Sequence, residues 1–396
     1  MRIQSLKARP ILDSRGQWTV EAAVILKNGA RAAASVPQGK STGSSEARSL
    51  PAATAVRRME SIIAPRITRR EFRTQEAVDA FLNKLDGTSN KSRLGANAIL
   101  ATSIAFLRAT AQANGIPLWK HVRKIYGLPA GGSREIARPR LFINVVNGGL
   151  HAGNNLDFQE YLIIPKCRTI KESVEIGAEA YHALGEALAA AKGKTAKNIG
   201  DEGGYAPEFR DNLEPFRIIE GVLKKLKLAK KIDFGMDAAA TDIGKSKKGD
   251  LAQTYMRFVH RYTPIYLEDP FGEKEFEEFA SLTALFGKKV WITGDDLTTT
   301  NVSLMERAHA ERSVNAVIIK PNQIGSVTEA LDAVRAARKY GWAVIVSHRS
   351  GETEDDFIAD FAYGIGADGL KLGAPARGER IAKYNRLLAI ETFEDK

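Results

Sequence analysis

Short runs in which apolar and polar positions alternate open the chain: RIQSLKARPIL, WTVEAAVIL and ARAAASVP. That period of two is the mark of half-buried strands, and Asn28-Gly29 between the second and third is a hairpin turn signal, so a three-stranded meander is expected. From about Leu50 to Ile125 the period lengthens to that of helices, with GANAILATSIAFLRATAQANG stopping at Gly115 and Pro117 as a helix C-terminus should. A Gly- and Pro-rich stretch without periodicity, GLPAGGSREIARP (127–139), follows as the linker candidate. This divides the chain into a small α+β domain, 1–135, and a second domain, 136–396.

Beyond the linker, apolar runs alternate with amphipathic helical segments, the signature of a mostly parallel sheet with helical crossovers. The runs are LFINVV, FQEYLII, IDFGMD, PIYLED, VWITGDD, AVIIKPN, AVIVSHR and GLKLG. Eight such runs in about 255 residues match a (β/α)8 barrel. In one intervening helix Val174, Ala178, Tyr181, Leu184 and Leu188 form a stripe of 3.6-residue period, the face expected on the barrel. Only NGGLHAGNNLD separates Val146 from Phe158, too little for a crossover helix, so a variant barrel beginning with a hairpin is predicted. The fold class is therefore α/β: a TIM-like barrel with a smaller N-terminal α+β domain.

Composition narrows the function. No apolar run reaches the roughly 18 residues of a spanning helix, and MRIQSLKARPILDSRG has no apolar leader core, so a cytoplasmic protein is expected. The single Cys167, after YLIIP, can neither close a disulfide within the chain nor supply a cysteine metal site, and reads as a small buried side chain. The 58 basic against 47 acidic residues leave +11, but the excess is scattered rather than gathered in a block with aromatics, which argues against nucleic acid as the main partner.

The late strands end in polar groups: Asp237, Glu268, Asp295, Lys320, His348 and Lys371, at gaps of 31, 27, 25, 28 and 23 residues. Each gap holds one helix and one return strand, and in a barrel such strand ends meet at one mouth. Charged residues also follow strands merely because strands end at the surface, yet Lys320 and Lys371 after AVII and ADGL would each need a partner. Asp237, Glu268 and Asp295 are three hard oxygen donors on consecutive strands; brought together they need a cation, and the all-oxygen set selects Mg²⁺. Near the metal, one of the two lysines would be neutral enough to remove a proton, and Lys320, one strand beyond Asp295, is the candidate base. GDEGG (200–204) sets Glu202 in a turn where backbone approaches a ligand, a general acid if its pKa is raised, and His348, Arg349 and Ser350 together suit an anionic group such as phosphate. PQGKSTG (37–43) lacks the first glycine of a P-loop, Ala34 standing there, and reads as a loop carrying Ser41 that folds over the site.

Taken in order, ILDSRG, STG (41–43), NGGLHAGN, FQE, GDEGG, EDPF, GDDLT, KPNQIG, SHRSGETED and GAPARGER make the chain resemble the enolase family along nearly its whole length. The resemblance implies the reversible dehydration of 2-phosphoglycerate to phosphoenolpyruvate, two Mg²⁺ per active site, and a homodimer or higher homo-oligomer. It implies Lys320 as the base at C2, Glu202 as the acid at the C3 hydroxyl and Glu160 as the carboxylate supporting it. Asp237, Glu268 and Asp295 fall on the ligands of one Mg²⁺, and Ser41 on a ligand of the second. His151, Gln159, Glu160, Glu268, Asp295, Lys320, His348, Arg349, Ser350 and Lys371 fall on substrate contacts. The sequence departs from the family at Gln38 and Lys40, where small residues are usual, and at Pro321, which removes an N–H beside the base. Arg9 matches an arginine that pairs across the family's dimer, but Thr392 stands where the acid is expected. Related acid-sugar dehydratases and racemases carry a Lys-x-Lys base motif where NIGDEGG offers Glu202 and no lysine. A catalytically idle binder of RNA or a membrane surface would instead show salt-sensitive retention and no turnover.

Overall fold

The computed structural model describes residues 1–40, 42–128, 138–243 and 251–394; Ser41, most of the linker candidate and the 244–250 stretch lie outside them. The meander is formed by β1 (Ile3–Leu12), β2 (Trp18–Leu26) and β3 (Arg31–Ser35), an antiparallel sheet in sequence order. Gly29 turns β2 into β3 with φ 87°, a left-handed conformation that favours glycine, and the Leu26 N–H donates to the Ala30 carbonyl across the turn. Alternate residues Val20, Ala22, Val24 and Leu26 are buried against the helix Ala96–Ala113. Arg9, exposed on β1, pairs with Glu21 of β2 at 2.6 Å.

All eight predicted barrel runs are strands: β4 (Arg140–Asn147), β5 (Glu160–Pro165), β6 (Ile232–Asp237), β7 (Tyr266–Glu268), β8 (Trp291–Gly294), β9 (Ala316–Ile319), β10 (Ala343–Ser347) and β11 (Gly369–Lys371). They close in sequence order, β11 pairing with β4. β5 runs antiparallel to both β4 and β6, whereas the remaining pairs are parallel. The short β4–β5 connection forces this, since parallel neighbours need a crossover of a dozen or more residues. Phe142, Leu162, Ile164, Tyr266, Ala316, Ile318 and Ile345 fill the barrel interior, so it is a packed core and not a channel.

Two expectations shift. In the helix Ile170–Lys192 the buried face runs through Ser173, Gly177, Ala180, Tyr181, Leu184 and Leu188, while Val174 and Ala178 lie at its edge. Small residues hold the middle of that face because the helix sits against the barrel; a Cβ on Gly177 would come within 2.2 Å of Ile143 Cδ1. Cys167 is half-buried rather than buried, since it follows the last residue of β5.

The N-terminal domain also carries a group whose charge opposes folding. His121, in the helix Leu118–Tyr126, is buried with Nδ1 lacking a hydrogen bond; burial, then Lys124, lower its pKa to about 4. The unfolded imidazole takes up a proton near its ordinary pKa of about 6.5, so between those values the unfolded chain binds more protons and stability falls with pH. We expect the loss to approach about 2 kcal/mol at pH 5 relative to pH 7. Urea titrations at the two pH values check it: His121→Leu should flatten the difference, and an unchanged slope would refute it.

Candidate active site

The rim is built by register. Asp237 and Glu268 are the last residues of β6 and β7 and are direct partners in the ladder; Asp295, Lys320 and His348 follow the last residues of β8, β9 and β10, and Lys371 ends β11. Glu160 is the first residue of β5, but because that strand is reversed it pairs with Asp237 and lies at the same rim. Gln159 precedes it and donates from Nε2 to Asp237 Oδ2 at 3.4 Å.

Lys371 is fully buried and its Nζ meets three carboxylates: Glu268 at 2.5 Å, Asp237 at 3.1 Å and Glu160 at 3.2 Å. Burial disfavours its ammonium, but these charges outweigh burial and hold its pKa well above the ordinary value. Lys320 pairs with Asp295 Oδ2, while Gln323 donates to Asp295 Oδ1 at 2.9 Å. At Lys320 burial and the charges of Arg349 and Lys371 disfavour the ammonium, but Asp295 more than offsets them and raises its pKa. Pro321 costs no hydrogen bond: it is the first residue of the turn of helix Pro321–Ile324, where an N–H has no intrahelical partner.

Glu202 and Glu160 bring carboxylate oxygens within 4.8 Å of each other and of a His151 ring nitrogen. Burial and then the charge of Glu202 push Glu160 well up. Burial acts the same way on Glu202, but His151, His348 and Arg380 reverse it and hold that carboxyl well below its usual range. The upward shift thus falls on Glu160, where Glu202, Asp237 and Glu268 outweigh Lys371, while Glu202 faces nitrogens: His151 Nδ1 at 3.3 Å, His348 Nε2 at 3.5 Å and Asn144 Nδ2 at 2.9 Å. The GDEGG turn needs its glycine at 200, where a Cβ would lie 2.6 Å from the His151 carbonyl oxygen.

Residues Gln38 and Lys40, on the near side of Ser41, contact the loops around this rim. Gln38 bridges Gly351, the Lys40 N–H donates to Ser350 Oγ at 2.8 Å, and Lys40 Nζ reaches the Leu150 carbonyl at 2.6 Å and Asp201 at 3.2 Å. Arg349, expected on an anion, directs its guanidinium to both oxygens of Glu46 at 2.9 and 3.0 Å and to Asn322.

The donor set fits a divalent cation. Among the described residues Glu268 Oε1, Glu160 Oε2 and Gln159 Oε1 are buried oxygens without a hydrogen bond, and crowding raises Glu268 to about 8 through burial and then Asp237. A second cluster, missed by the strand-end argument, is Asp269, Asp295 and Asp296, whose oxygens lie within 4.8 Å of one another. Burial and the neighbouring acids raise Asp269 well up and Asp296 to about 8. Asp269 accepts the N–H groups of Asp295 and Asp296 at 2.9 and 2.8 Å and so shapes the turn that presents Asp295. The signal was its place in EDPF, one residue past Glu268.

Comparison with known proteins bears on this geometry. Models of the enolase C-terminal TIM barrel domain and of the enolase N-terminal domain match residues 135–394 and 3–122. A protein named enolase from Solanum lycopersicum is 42% identical, covering 98% of this chain and 95% of its own. Those from Methanopyrus kandleri and Methanocaldococcus jannaschii are 43% and 41% identical with the same coverage. With the barrel, its reversed second strand and the acid-lined rim in place, the chain belongs to the enolase family.

Proposed function

We propose that this protein is a hydro-lyase that interconverts 2-phospho-D-glycerate and phosphoenolpyruvate with Mg²⁺. The observation that carries the reading is the meeting of two lysines, the Glu160–Glu202 pair and the Asp237, Glu268, Asp295 trio at one barrel rim in a chain of this family. Asp237, Glu268 and Asp295 would hold one Mg²⁺, and Ser41 would contribute to a second. Bound Mg²⁺ supplies positive charge for a substrate carboxylate that becomes more negative as C2 loses its proton. With Asp295 committed elsewhere, Lys320 would release its own proton to solvent, and the neutral Nζ amine then takes the C2 proton. The C3–O bond then breaks, and Glu202 delivers the proton it shares with Glu160, so that water leaves. Lys371 stays charged beside the carboxylate, and His151, Gln159, His348, Arg349 and Ser350 orient the substrate. A cytoplasmic homodimer or higher homo-oligomer belongs to the same reading; among the described residues no helix is long and apolar enough to cross a membrane.

The test is the rise in ultraviolet absorbance as an enol ester forms from 2-phosphoglycerate. It should require Mg²⁺, stop with EDTA and resume when Mg²⁺ is restored; turnover in metal-free buffer would overturn the ligand assignment. Glu202→Gln should keep exchange of the C2 proton with solvent while product formation falls by about 10²-fold or more. Equal loss of both would remove Glu202 from the acid role.

A further inference from the structure

Arg380 has no part in the chemistry above, yet it is among the largest fully buried side chains of the molecule. It lies in the helix Gly378–Ala389, beneath the rim rather than on it. Nη1 lies 2.6 Å from His348 Nδ1 and 2.6 Å from the Arg349 carbonyl oxygen; Nη2 reaches the carbonyl oxygens of Ser350 at 2.6 Å and Asp201 at 3.1 Å. One guanidinium thus ties the loop after β10 to the turn that carries Glu202.

A guanidinium only donates. His348 Nδ1, facing Nη1, must therefore be the acceptor, and the ring's one remaining proton must sit on Nε2. That Nε2 is buried, lines the cavity at the rim and makes no hydrogen bond among the described residues; Glu202 Oε1 is 3.5 Å away. We propose that Arg380 is a positioning residue that locks His348 as a neutral imidazole whose Nε2–H points into the active site, as a hydrogen-bond donor for a substrate oxygen and not as a proton source.

The charged groups around the ring agree. Burial lowers the pKa of His348 well below its ordinary value; Glu202 opposes this, while Arg380, Lys371 and Lys320 add to it. The nearest arginine in sequence, Arg349, is turned to Glu46. A cationic His348 would face the Arg380 guanidinium at hydrogen-bond distance with no acceptor between them, an arrangement that repels. The catalytic consequence rests on the proposed function, since it makes His348 a fixed donor in that site; the tautomer does not.

Nitrogen-15 NMR of the full-length protein labelled at histidine tests it, with the His348 signals assigned by their loss in His348→Asn. Between pH 6 and 8 the native protein should show a single neutral tautomer at His348, Nδ1 unprotonated and Nε2 protonated. In Arg380→Gln the ring should begin to titrate within that range, moving toward the ordinary value of about 6.5. The pH profile of kcat/KM should then gain an acid limb absent from the native enzyme, while Arg380→Lys, which keeps a cationic donor, should restore the native tautomer. A proton on Nδ1, or an imidazolium at pH 7, in the native protein overturns the proposal even if no variant folds. So does an unchanged tautomer and titration in Arg380→Gln. Because the NMR reads no turnover, failure of this assignment leaves the dehydration reading standing, and an inactive protein with the expected tautomer would fault that reading alone.

Discussion

Lys320→Ala is expected to abolish exchange of the C2 proton of 2-phosphoglycerate with solvent and to lower turnover by about 10³-fold or more, within the span usual for a general base and above. The loss should be chemical, not structural. Asp295 would lose its ammonium but keep the Gln323 hydrogen bond, and its turn would still be fixed by Asp269. Lys320→Arg separates the two roles. Its guanidinium retains a cation beside Asp295 yet does not release its proton in proteins, so it should fold like the native chain and exchange nothing. Deuterium incorporation measured by mass spectrometry decides the matter: label at C2 in either variant would remove Lys320 from the base position.

A second large effect is expected at Lys371, where the change should fall on stability as well as turnover. Lys371→Met keeps most of the volume and removes the charge that meets Glu160, Asp237 and Glu268. Breaking a buried ionic cluster from one side leaves uncompensated charge and costs about 3–5 kcal/mol. Lowering the pH should return part of this, because protonated carboxyls no longer repel, and the raised values of Glu160 and Glu268, the latter about 8, place that recovery below about pH 8, well above the ordinary carboxylate range. Mg²⁺ should return part of it at neutral pH by replacing the missing positive charge. Urea midpoints with and without Mg²⁺ give the answer; a loss below about 1 kcal/mol would show that the three acids are not held by this lysine.

Much of this was legible in the chain because barrel strands announce themselves. Their apolar runs are short, their spacing leaves room for one helix each, and the polar residue closing each run is carried to a common rim by parallel register. That logic reached Asp237, Glu268, Asp295, Lys320, His348 and Lys371, while Glu160 needed the family resemblance, since it begins a strand rather than ends one. What stayed hidden depends on neighbours distant in sequence. That Arg349 pairs with Glu46, about 300 residues earlier, cannot be read from the spacing of either residue. Glu202 and Glu160 look alike as letters; only the neighbours brought up by the fold shift one carboxyl down and the other up. Arg380 reads as one more polar position on an amphipathic helix, and its burial under the rim follows from the tertiary arrangement alone.

The contacts that seat Gln38 and Glu46 on the barrel have a wider consequence. Gln38 zips to Gly351, Glu46 grips Arg349, and Arg108 joins Asp355 and Asp356 nearby. The early part of the chain therefore furnishes one wall of the reaction chamber. Competence then becomes a matter of association within a single polypeptide: the fraction of molecules ready to turn over equals the fraction in which that wall is engaged, and substitutions far from any reacting atom can tune the enzyme by loosening or tightening this internal clasp.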